Sequence, residues 1–246
     1  MKLNLLKPIF LLFILTFMSC YDKNEIKVYK ITGSPNYENS KLSLSEPSKT
    51  NNGYSFSFDV NDYELGLQTI KEFDYELANS AKGQHIHFIV NNGPYSAHYS
   101  DNFEKDIQDG SLVLAFLSRS YHESVKNKEA YVLTQIGENH DLDLSNEFLF
   151  YSRPKGTYSG SDTEKLLLDF YLVNTKLSPD GNKVKVSIKN DGMVTLFHQF
   201  IIDEWAPYYI EGLPKGNITF KLELIDSKGN LIETPFNPSE RTVVLE

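Results

Sequence analysis

The sequence predicts an all-β protein built as two antiparallel β-sandwich domains in tandem. Three observations predict it: short runs of alternating apolar residues, turn residues between those runs, and two halves that align. Tyr54-Ser55-Phe56-Ser57-Phe58-Asp59-Val60 alternates strictly, so four apolar side chains share one face of a strand. Ile218-Thr219-Phe220-Lys221-Leu222-Glu223-Leu224 alternates again, whereas Leu166 to Val173 is a mostly apolar run. Asn92-Gly93-Pro94, Asp109-Gly110, Ser178-Pro179-Asp180-Gly181, Asp191-Gly192 and Lys228-Gly229-Asn230 supply the turns. The 16 Phe and 15 Tyr in 246 residues lean the same way, because aromatic side chains suit pleated, half-buried surfaces. Only Ile70 to Leu77 and Glu123 to Ala130 suggest a helical turn or two.

The halves align without a gap from Gly83 to Asn92 against Gly181 to Asn190. Upstream, Ser55 to Val60 matches Leu166 to Phe170; downstream, Leu112 to Leu117 matches Ile218 to Leu224. Each half closes on an apolar run, Ala130 to Ile136 and Thr242 to Leu245. A duplicated immunoglobulin-like sandwich is the expectation, at about 100 residues per copy. The polar stretch Gly137 to Asp141 is the expected boundary, giving domains at 28–138 and 139–246.

The N-terminus reads as an address. Lys2 and Lys7 precede an apolar run from Ile9 to Met18, too short for the ~20 residues of a membrane span. Phe17-Met18-Ser19-Cys20 resembles the bacterial lipobox. The resemblance implies removal of residues 1–19, lipid on the Cys20 thiol, and anchoring to the membrane by acyl chains. Residues 20–27 would be lipidated cysteine and tether. Aspartate does not follow Cys20 directly, and the stretch Tyr21 to Glu25 resembles the export tethers of Bacteroidota lipoproteins, which implies the outer membrane and leaves the leaflet open.

Charge and cysteine content exclude other classes. With 24 Lys plus Arg against 33 Asp plus Glu, the net charge is −9, and loss of residues 1–19 makes it −11. Such a balance argues against a nucleic-acid partner, since phosphate binding relies on clustered cations. One cysteine excludes a disulfide framework and a thiolate-rich zinc site.

Four of the six histidines fall close together: His85, His87, His98 and His122. His85 and His87 are two apart on a strand and share a face. The aligned half has Val184, Val186 and Ile188 on its apolar face, so Ile86, Phe88 and Val90 are expected in the core and both histidines outside it, facing outwards. An outward His-x-His with further histidines in reach suits copper or zinc. Hydrogen bonding of loops or of the interdomain contact suits the same residues. Gly83-Gln84-His85-Ile86-His87 is similar to a strand of copper/zinc superoxide dismutases, but that family's disulfide and later metal ligands are missing.

Ser118-Arg119-Ser120-Tyr121-His122-Glu123-Ser124 follows an apolar strand and has the composition of a binding loop, with Arg119 suited to a carboxylate or phosphate. Tyr95, Tyr99 and Tyr121 are expected to offer an aromatic ligand surface beside Arg119 and His122. Trp205, in Glu204 to Tyr209, suits either sugar stacking or a sandwich core. A hydrolase reading would use a pairing such as Ser120 with His122, and needs the Ser118 to Ser124 loop in a cleft beside His85 or His98; no Gly-x-Ser-x-Gly elbow surrounds any serine.

Asp62 to Thr69, Gly83 to Tyr95 and Phe116 to Lys126 together resemble a family of uncharacterised Bacteroidota envelope lipoproteins with two β domains. The resemblance implies no established activity; phosphopeptide binding, loosely associated with such lipoproteins, is poorly served by three arginines far apart in sequence. The expected function is a lipid-anchored, non-catalytic binding or scaffolding module without a cofactor, its ligand an envelope protein or glycan. The alternative is a copper- or zinc-binding envelope protein, and the second alternative a hydrolase.

Overall fold

The computed structural model describes residues 25–138, 141–190 and 197–246. The signal, lipidation and most of the tether fall on residues 1–24, outside the described residues. Strands are numbered in chain order. In the first unit, β2 (Lys41–Leu44) and β3 (Ser48–Thr50) pair with successive parts of β4 (Gly53–Asn61), whose other edge takes β7 (Asn102–Lys105). The facing sheet runs β6 (Ser96–His98), β5 (His85–Val90), β8 (Leu112–Ser118), β9 (Tyr131–Gln135). In the second unit, β1 (Lys27–Lys30), β15 (Tyr208–Glu211), β12 (Leu166–Val173) and β10 (Phe148–Arg153) form one sheet. The other runs β11 (Thr157–Tyr158), β17 (Ser239–Leu245), β16 (Gly216–Ile225), β13 (Lys183–Asn190), β14 (Phe197–Ile202). The protein is all-β, two immunoglobulin-like sandwiches in tandem.

The aligned segments occupy equivalent places. β5 and β13 are each flanked by the strand that follows in the chain, β6 or β14, and on the other side by β8 or β16, with β9 or β17 beyond. Even the register repeats: Ile86 lies opposite Leu117 as its counterpart Val184 lies opposite Leu224. Each sandwich has its own core. Phe56, Phe58, Ile86, Phe88, Val113, Ala115 and Leu117 fill the first, and Leu168, Phe170, Val184, Val186, Phe220 and Leu222 help to fill the second.

Three expectations need correction. Residues 27–30 pair with Tyr208–Glu211, so this strand, placed in the tether and the first domain from sequence, belongs to the second unit's sheet. Neither Ile70 to Leu77 nor Glu123 to Ala130 is helical; the latter runs irregularly because Val125 and Ala130 must both reach the first core. The third concerns what covers the outer face of β5 and β8. Ile89, Leu112, Leu114 and Phe116 pack there against Phe148, Phe150, Tyr171 and Val173 of the second unit. Phe116 stacks on Tyr171 with centroids 4.6 Å apart. The two sandwiches therefore share a third apolar core at their seam.

Candidate metal centre

Because β5 alternates, Ile86 and Phe88 enter the first core while His85 and His87 point to the seam. The face expected from the repeat is the one they occupy, but both are fully buried rather than solvent-facing. The second unit lies over them, and Ser152 of β10 is 3.3 Å from His87 Nδ1. His122 arrives from the turn after β8. The His122 amide donates to the Arg119 carbonyl at 2.8 Å, and the Arg119 amide to the Glu123 carbonyl at 2.9 Å. This fold-back holds His122 at φ 69, a left-handed conformation unusual for a non-glycine residue.

Three ring nitrogens converge. His85 Nε2 is 2.9 Å from His87 Nε2 and 3.1 Å from His122 Nδ1, and the three ligand atoms all lie within 4.8 Å of one another. His85 Nδ1 is 2.8 Å from the Gly83 carbonyl, which can only accept, so Nδ1 carries the proton and Nε2 presents its lone pair inwards. Gly83 is held at φ 83, and a Cβ there would meet the Gly66 carbonyl oxygen at 2.4 Å, so only glycine lets this carbonyl be placed.

One lone pair on His85 Nε2 cannot satisfy two N–H donors in good geometry. A cation resolves that conflict, because all three nitrogens can then offer lone pairs to it. Zinc–nitrogen bonds of about 2.0–2.1 Å in a tetrahedral arrangement put nitrogens about 3.3 Å apart. The two contacts of His85 need open by only a few tenths of an ångström, while the remaining pair, His87 with His122, lies within 4.8 Å and closes as the ion is bound. Burial keeps the imidazoles neutral: it lowers the pKa of His85 to about 4 and that of His87 well below its usual range, with neighbouring imidazoles and Arg153 acting in the same direction on His87. Burial, then Arg153, lowers His122 as well. Neutral imidazole is the ligand form.

The remaining site residues from sequence divide. His98 stands apart, stacked on Phe103 at 3.4 Å with its Nε2 2.9 Å from Ser96 Oγ. Tyr95 stacks on His87 at 3.6 Å, and its hydroxyl is 3.3 Å from His122 Nδ1. Tyr99 lies 5.0 Å from the His85 ring and shares a hydrogen bond of 2.7 Å with Ser80. Arg119 is not offered to a ligand: it is buried, pairs with Glu123 at 2.8 Å and donates to the Ser124 carbonyl. Tyr121 is likewise buried, among Ile31, Leu77 and Leu167. The tyrosines thus make no common surface.

In the hydrolase pairing, Ser120 Oγ accepts from the Thr69 amide and the Ser120 amide donates to Thr69 Oγ1, and among the described residues no hydrogen bond joins Ser120 to His122. Ser118 Oγ does lie 3.1 Å from His87 Nε2, but Ser118 is fully buried and no substrate carbonyl can reach it. Sequence reasoning missed Ser152, Arg153 and Lys155, which approach the cluster from the second unit; no signal near them in sequence pairs them with the histidines.

A separate cleft of about 770 Å³ opens at the seam, where Lys128, Tyr131, Tyr171, Lys176 and Trp205 contribute to its walls. Trp205 donates Nε1–H to the Phe170 carbonyl at 3.0 Å and meets Tyr171 edge-on.

No family model and no curated protein matches the chain. Among solved structures, it is similar to the fibronectin(III)-like modules of Clostridium thermocellum CbhA, with 12% identity, a TM-score of 0.28, and coverage of 90% of this chain and 94% of that one. The two-domain fibronectin type-III segment of chicken tenascin follows at 11% identity and TM-score 0.26, covering 83% and 98%. The tandem V-type regions of VCBP3, a v-region-containing chitin binding protein, give 6% identity and TM-score 0.25, covering 90% and 99%. Likenesses this distant carry nothing about function, and the fold stands on the sheet orders above.

Proposed function

We propose that this is a lipid-anchored, non-catalytic envelope protein whose first sandwich holds a copper or zinc ion on His85, His87 and His122. The observation that carries the metal reading is the convergence of three neutral, buried ring nitrogens, one of them with its tautomer set by the Gly83 carbonyl. Metal analysis and calorimetry on the full chain test it. One equivalent of copper or zinc is expected, lost in His85→Ala/His87→Ala. Ser152→Ala, which removes the hydroxyl beside His87 Nδ1, is expected to weaken binding about tenfold. Absence of stoichiometric binding, or binding indifferent to the double variant, refutes the reading.

Anchoring rests on the Phe17-Met18-Ser19-Cys20 sequence and on the lone cysteine standing at its end. Cys20→Ser is expected to move the protein out of the membrane fraction or leave it unprocessed; retention with acyl labelling intact refutes it. The outer membrane is the proposed location.

A second ligand is favoured by the seam cleft, where the partly exposed rings of Tyr131 and Trp205 lie beside Lys126, Lys128 and Lys176, against the single acid Glu147. That chemistry suits an acidic saccharide, the rings stacking on sugar faces and the ammonium groups meeting carboxylates. Trp205 is the sole tryptophan, so its fluorescence reports on this site alone. Titration with a polyuronate oligosaccharide is expected to change it, and Lys128→Gln/Lys176→Gln to abolish the change; a flat titration of the unaltered protein removes the proposal.

A further inference from the structure

Accepting the three-histidine metal reading, on which this rests, we propose that the ion is cuprous copper, selected over divalent ions by the positive charge built around the site. The group of possible ligands contains three histidines and no carboxylate. Two buried acids, Glu123 and Asp169, are already committed, to Arg119 and to Lys126. Two cations reach the cluster from the second unit, and neither has an acidic partner among the described residues. Arg153 is buried; its Nη1 donates to the Tyr158 hydroxyl at 2.9 Å, and its Nε has no partner. Its guanidinium carbon lies 5.4 Å from the Tyr95 ring centroid. Lys155 Nζ donates to the Tyr95 carbonyl at 2.7 Å and lies 4.1 Å from the same centroid.

Tyr95 links these charges to the ligands. One face of its ring is covered by His87 at 3.6 Å and 13°, which leaves the other face to the ammonium. Lys155 therefore sits roughly 8 Å from the His87 ring, two ring spacings away, where a unit charge still acts strongly through protein. A buried ion needs compensating charge. Here a divalent ion meets twice the repulsion of a monovalent one and, among the described residues, finds no carboxylate in the ligand group to offset it. Zinc in addition wants a fourth ligand. The oxygens in hydrogen-bond reach are both hydroxyls, Ser118 Oγ at 3.1 Å from His87 Nε2 and Tyr95 at 3.3 Å from His122 Nδ1, and neither brings a negative charge as a hydroxyl. Cuprous copper accepts low coordination numbers and imidazole ligands, so the three nitrogens suffice for it. The only cysteine lies at residue 20, and the ligand set contains no thiolate.

The test compares metal affinities of the metal-free full chain with those of Lys155→Gln, a change at a half-buried side chain that is not a ligand. Copper(I) is measured anaerobically against a chromophoric chelator, and zinc(II) against another. The unaltered protein is expected to bind one copper(I) and to bind zinc more weakly. Because Coulomb energy scales with ionic charge, Lys155→Gln should strengthen zinc binding by the square of its effect on copper(I), about tenfold against about threefold. Zinc bound as tightly as copper(I), or zinc affinity unmoved by Lys155→Gln, overturns cuprous selection and leaves the metal reading standing. Binding of neither ion overturns the metal reading itself.

Discussion

Replacing Asp169 with alanine is expected to destabilise the protein by about 3–5 kcal/mol, the usual cost of removing one partner from a buried ion pair. Asp169 lies on β12 with no exposed surface. Its carboxylate accepts from Lys126 Nζ at 2.6 Å, from Ser124 Oγ at 2.9 Å and from the Ser124 amide at 3.3 Å. All three donors come from the connection between β8 and β9, in the other sandwich. Without Asp169, a largely buried ammonium and a buried amide lose their acceptor at the seam, where no water replaces it cheaply. Urea unfolding checks the size of the effect. The paired change Asp169→Leu/Lys126→Met is the informative control, since replacing both charges by apolar groups is often neutral. A loss under about 1 kcal/mol in Asp169→Ala would mean that the pair is solvated and does not tie the units together.

The repeat in the sequence carried the fold well because backbone register and core packing are local, pattern-borne properties. Val184, Val186 and Ile188 identified the core face of β13, and the same offset identified Ile86 and Phe88 on β5. What that pattern does not carry is the cover on the other face. His85 and His87 look solvent-facing because polar residues usually mark the wet side of a strand, yet here they are buried by the second unit. A signal for that cover was present elsewhere. β8 and β12 do not alternate: every residue of Leu112–Ser118 and Leu166–Val173 is buried. Continuous apolar strands are buried on both faces, so each had to pack outside its own sandwich. The seam partners of the histidines, Ser152, Arg153 and Lys155, were illegible for a different reason. They reach the cluster through the docking of two sandwiches, a tertiary fact with no local periodicity. Arg119 misled in the opposite sense, because a guanidinium in a loop suits a ligand until Glu123, four residues on, is seen to take it.

The metal-free protein is expected to lose stability steeply as pH falls from 7 to 5. An unfolded histidine titrates near 6.5, whereas burial holds the folded pKa of His85 at about 4. Between those values the unfolded chain binds the extra proton and the folded one does not, so stability is full above about pH 6.5 and drains as pH falls towards 4. His85 alone then costs about 2 kcal/mol by pH 5. His87 and His122 are shifted in the same direction, both chiefly by burial, with Arg153 and Lys155 adding repulsion against any protonated form. His98, outside the cluster, is lowered to about 4 by burial as well; Glu123 opposes them, because burial raises its carboxyl and favours protonation in the folded state, but it is one group against four. Urea midpoints at pH 5, 6, 7 and 8, with metal removed by chelation, check the slope. His122→Asn should flatten the curve, since asparagine tolerates the left-handed backbone at that position and carries no titrating proton. Stability constant to within about 0.5 kcal/mol over the window would show that the three imidazoles titrate in the folded protein as they do in the unfolded chain, so that protons compete with a metal for their lone pairs below about pH 6.5.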